Sequence, residues 1–117
     1  MAWGLLVATA ISAGVIALAW LGFVGKLPRN HIAGIRTPFT LSSEERWYAV
    51  HRAGGPVMLL GAVAAFAAGL AFLPFALAGK VADGLAAAII MVMAVMILVA
   101  AVSGWLYGVS RARAEGL

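Results

Sequence analysis

Both histidines, His31 and His51, two of the four acidic residues, Glu44 and Glu45, and four of the six arginines lie within residues 26–55, KLPRNHIAGIRTPFTLSSEERWYAVHRAGG. Polar chemistry, if the chain performs any, belongs to this segment. A metal could draw on His31, His51, Glu44 and Glu45, but no HExxH-like spacing sets two ligands on one helical face, so no metal or cofactor is expected. No nucleophile stands beside a base and no paired acids face a cleft, so an enzyme is not expected. Arg36, between Gly34 and the stiff Thr37-Pro38 step, could clamp a carboxylate or phosphate in two-pronged fashion. Glu44 or Glu45, a lipid phosphate or a specific ligand would each satisfy it. His51 could be an interfacial imidazole bonded to a neighbour, a pH sensor or a ligand contact. Trp47 could be an interfacial anchor, a plug packed on the helices or a partner contact.

The elements that must position these groups follow from the rest of the chain. Its 117 residues are 65% hydrophobic, and residues 1–25, 53–79 and 84–110 contain no charged side chain and no histidine. A soluble domain of this size leaves too much surface exposed to accommodate that composition. A hydrocarbon core about 30 Å thick needs roughly 20 apolar helical residues, and all three runs suffice. Backbone groups in hydrocarbon need internal partners, so these runs are helices; without polar alternation they are not barrel strands. The expected fold is an all-α membrane protein, a single domain over 1–117. Its transmembrane helices are expected over about 2–24, 55–78 and 85–109, with a tail over 110–117.

Lys26, Arg29, Arg36, Arg46, Arg52, Arg111 and Arg113 fall on one side of that membrane and Lys80 on the other. The bias places the 26–54 loop and the C-terminus in the cytoplasm and the N-terminus outside, in a membrane crossed several times. The net charge of +4 is then a topology signal that also attracts anionic lipid headgroups, and nucleic acid is not an expected partner. The first span lacks a basic start and is expected to be retained rather than cleaved. The chain has no cysteine, which removes disulfides and thiolate sites.

Within the loop, Pro28 and Pro38 hold the residues before them extended. Ser42 and Glu45 have capping-box spacing, which predicts a short interfacial helix over about 43–53, broken from the second span at Gly54-Gly55-Pro56. On a helical wheel Trp47, Val50, His51 and Gly54 share one side, with Glu44 close in angle to His51. In the first span Gly4, Ala8 and Ser12 recur every four residues, and Gly104 and Gly108 have the same spacing in the third, so small residues are expected to seat helix on helix, within the chain or between copies. Met91, Met93 and Met96 do not share a face and read as packing rather than a metal path.

The string NHIAGIRTPFTL over 30–41, followed by Ser43, Glu44, Trp47, His51 and Gly55, resembles the signature loop of the SdpI family, bacterial membrane proteins typified by an immunity protein against a secreted sporulation-delaying toxin. The resemblance implies protection from a membrane-active peptide toxin, and in the typical member capture of a transcriptional repressor at the membrane. It carries over to Asn30, Gly34, Ile35, Arg36, Thr37, Pro38, Thr40, Leu41, Trp47, His51 and Gly55. This chain has three helices where longer relatives have more. The expected binding set is Asn30, Gly34, Arg36, Thr37, Pro38, Thr40, Glu44, Trp47 and His51, facing a peptide toxin or a cytoplasmic regulator. A structural accessory subunit of a larger membrane complex and a carrier of a small amphiphile or lipid are the alternatives, and a homo-oligomer is a possible assembly.

Overall fold

The computed structural model describes residues 2–117. It contains α1 (Ala2–Phe23), α2 (Pro38–Leu41), α3 (Glu44–Leu77) and α4 (Asp83–Ala114), with no strand among the described residues. Three of them, α1, α3 and α4, are long and apolar enough to cross a membrane. The bundle measures 53 × 20 × 20 Å, so it extends beyond a hydrocarbon layer of about 30 Å. Large apolar side chains such as Leu60, Leu98 and Ile11 are more than half exposed along its flanks, as a surface facing lipid requires.

The central helix is α3, which packs along both α1 and α4 while those two meet each other least. Small residues set that arrangement. A Cβ added at Gly54 would strike the backbone of Gly104, and one added at Gly104 would lie 2.7 Å from Met58 Cγ. At Gly55 it would lie 2.9 Å from the Ala19 carbonyl oxygen of α1. Close approach allows many weak dispersion contacts, which is how helices associate in lipid. Gly104 and Gly108 therefore face α3, Gly108 against Val50. Of the expected stripe on α1 only Ser12 is fully buried, on a face it shares with Leu5, Thr9, Ala19 and Gly22. Thr9 and Ser12 donate to the carbonyls of Leu5 and Ala8, so neither hydroxyl is stranded in the apolar interior.

Four local expectations are corrected. The short helix between the first two spans exists, but at Pro38–Leu41; residues 44–53 are helical as one piece with the second span. Gly54-Gly55-Pro56 does not break α3, because both glycines sit at helix crossings, where the packing on α4 and α1 holds their conformation. Pro56 costs one amide donor, a loss that packed membrane helices absorb. The cap of α3 is Ser43, whose hydroxyl accepts from Arg46 N–H, and the capping box belongs to Thr37 and Thr40 of α2. The third span continues to Ala114 instead of ending near residue 109, with Arg111 and Arg113 in its last turn complementing the helix dipole.

Met93 is 1% exposed in the core distant from the loop, against Leu5, Ala65 and Ile89, whereas Met91 is 65% exposed. The methionines therefore divide between core and lipid, as their spacing predicts. A second core of Ile35, Ala49, Val50 and Ala112 lies at the loop end, with Phe39, Met58, Val109 and Leu117 packed on it.

Candidate functional site: a folded cap on the loop end

Residues 24–43 cross the end of the bundle as a folded cap, held by side chains that satisfy particular backbone groups. Asn30 makes the first turn: its Oδ1 accepts from Ile32 N–H at 2.8 Å and Ala33 N–H at 2.7 Å, and its Nδ2 donates to the Pro28 carbonyl at 2.7 Å. The chain then passes through Gly34 at φ +106°, a conformation that side-chain-bearing residues rarely adopt. A Cβ there would also sit 2.8 Å from His51 Nε2 and 3.0 Å from the Trp47 ring. Glycine is required twice, by its dihedral and by the space.

That close approach brings Ile35 N–H to His51 Nε2 at 2.8 Å, while His51 Nδ1 lies 2.7 Å from the Trp47 carbonyl. An amide N–H only donates and a carbonyl only accepts, so the ring must be neutral with its proton on Nδ1. The two rings lie with centroids 4.1 Å apart, tilted by 34°. Trp47, fully buried, donates from Nε1 to the Leu27 carbonyl at 2.8 Å. The other side of the Ile35 residue is held too: its carbonyl accepts from Thr40 Oγ1 at 2.7 Å. Thr37 and Thr40 exchange bonds, Thr40 N–H to Thr37 Oγ1 at 3.2 Å and Thr37 N–H to Thr40 Oγ1 at 2.9 Å, with Pro38 in the first helical position. No buried side-chain polar atom among the described residues lacks a partner.

The rim ties the cap to α4. Guanidinium carbons of Arg46 and Arg113 lie 4.7 and 5.3 Å from the centre of the Phe39 ring, within cation–π range. Arg52 and Glu115 approach to 3.6 Å, both about half exposed. Arg46 also donates to Ser42 Oγ at 2.9 Å.

Seven of the nine expected site residues converge. Gly34, Trp47 and His51 form the docking contact, Thr37, Pro38 and Thr40 the knuckle beside it, and Asn30 the turn before it. Arg36 and Glu44 stand apart, both exposed. Arg36 donates to the His31 carbonyl, and not to Glu44 or Glu45. Leu27, Phe39 and Arg113 were missed as members of this assembly. Leu27 acts through its carbonyl, which leaves no mark in a sequence, and Arg113 is brought in from the far end of the chain.

No three His, Cys, Asp or Glu residues converge on a metal-sized site among the described residues. Both nitrogens of His51 are engaged by backbone, so the ring is committed to holding Ile35. The arrangement is a rigid, internally satisfied cap with a basic rim, carried by a three-helix membrane bundle, which defines a small helical membrane protein presenting a folded surface at one end. The model of the SdpI/YfhL protein family matches residues 26–107, more than two thirds of the chain, and the chain belongs to that family. No curated protein and no solved structure matches it.

Proposed function

We propose that the chain is a short, three-helix SdpI-type protein of a bacterial inner membrane. It confers immunity to a membrane-active peptide toxin, signals through a partner bound at its loop end, or does both. It acts as a binding protein rather than an enzyme, and it uses no cofactor. The N-terminus lies outside, and the cap and C-terminus lie in the cytoplasm. The observation that carries this reading is the cap itself: the residues that resemble the family's signature fold into one ordered surface around Ile35, His51 and Trp47 instead of a mobile linker. An ordered surface can recognise a partner without first losing the conformational entropy of a free loop. Seven of the eight Lys and Arg residues gather at that end, which supports its cytoplasmic placement.

Expression in toxin-sensitive cells tests the reading. The wild-type chain should raise survival on toxin challenge, and Gly34→Ala at matched membrane levels should lose that protection. Equal killing with and without the wild-type protein would refute immunity, and failure of any cytoplasmic protein to cross-link to the cap would refute signalling.

A further inference from the structure

A cavity of about 160 Å³ lies between the three long helices under the cap. Gly34 and His51 border it at the loop end, and Val15, Met58, Ile97 and Ala101 line it further along the bundle. From His51 to Met58 is two helical turns, about 10 Å. The cavity is only partly enclosed. Of the three long helices α1 and α4 meet each other least, so the seam between them is the loosest wall of this cavity.

What would fill it follows from its walls. A stable water needs two to four polar partners, and here the one polar side chain, His51, already has both nitrogens bonded to backbone. The filling is therefore apolar, and a bilayer supplies hydrocarbon chains at that depth. At the loop end, Lys26, Arg29, Arg36, Arg46, Arg52, Arg111 and Arg113 outnumber Glu44, Glu45 and Glu115. Arg36 follows Gly34 by two residues, is exposed, and spends one N–H on the His31 carbonyl, which leaves its other donors for a phosphate.

We propose that this cleft is a binding site for an anionic phospholipid, one acyl chain lying between α1 and α4 and the phosphate meeting the basic rim at Arg36. The site does not depend on the toxin reading and stands or falls separately from it.

The test uses the full chain in bilayer discs of equimolar phosphatidylglycerol and phosphatidylcholine, released into mild detergent and weighed intact by native mass spectrometry. One retained lipid per chain is expected, enriched in phosphatidylglycerol. Ala101→Leu on α4 and Val15→Phe on α1 each fill the cleft from a different wall and should abolish the retained-lipid peak at unchanged helicity. Arg36→Gln should keep the peak and reduce the preference for phosphatidylglycerol about fivefold, the equivalent of ~1 kcal/mol for one basic residue at an anionic surface. Lipid retention unchanged in both cleft-filling variants would overturn the site, and an unchanged preference in Arg36→Gln would overturn the phosphate contact.

Discussion

His51 shows how a residue with catalytic potential can be spent on architecture. Its two ring nitrogens bridge Ile35 N–H and the Trp47 carbonyl, joining the loop to α3 through one side chain. Replacing it by Ala strands the Ile35 amide in a buried place, a loss of about 1–3 kcal/mol, with a further loss from the space the ring leaves. His51→Ala should therefore lower the thermal midpoint of the purified protein and expose the loop to proteolysis near residues 28–36, while α3 stays helical. Gly34→Ala should have the same signature by a different cause, a left-handed φ and a Cβ against the imidazole, at about 1–3 kcal/mol. Limited proteolysis of detergent-solubilised protein separates both variants from wild type. A loop equally resistant in all three would mean that the cap does not depend on this contact.

At the scale of elements, the close seating of α3 on α4 at Gly54 and Gly104 predicts that Gly104→Leu separates them. Overpacking of this kind costs about 1–3 kcal/mol, and here the intruding side chain meets both the Met58 side chain and the Gly54 carbonyl oxygen, the second of which cannot rotate away. Thermal unfolding in detergent should show the loss, whereas Gly84→Leu, where an added Cβ meets nothing, should not. The same glycines explain what the sequence made legible and what it did not. Three spans were readable because long charge-free runs have one stable solution in lipid. Burial of Trp47, Val50, His51 and Gly54 on one face was readable from their spacing. The run through Gly54-Gly55-Pro56 was misread, because glycine looks the same to a local reading whether it ends a helix or admits a neighbour; only Gly104 and the Ala19 carbonyl decide. Likewise Ser42 and Glu45 have the spacing of a capping box, but the extended residue that begins α3 is Ser43. A pairing of Arg36 with Glu44 or Glu45 was one of the options that charge allowed, and charge does not reveal which side of a loop faces out.

For the whole molecule, the cap, the start of α3 and the end of α4 form one unit in which Ile35, Ala49, Val50 and Ala112 are buried together. Apolar burial, not the Arg52–Glu115 pair, should hold the C-terminal end there, because ion pairs this exposed contribute roughly 0–1 kcal/mol. Glu115→Gln should thus shift the thermal midpoint negligibly; a large drop would transfer the joint to the ion pair. The measurement that tests the account most directly concerns the side of the membrane on which this unit sits. The chain has no cysteine, so single replacements report without background. In intact cells, a membrane-impermeant maleimide should label Lys80→Cys, between α3 and α4, and should reach Arg29→Cys and Glu115→Cys only after permeabilisation. Labelling of Arg29→Cys from outside, or of Lys80→Cys and Glu115→Cys from the same side, would contradict a three-span protein that presents its folded cap to the cytoplasm.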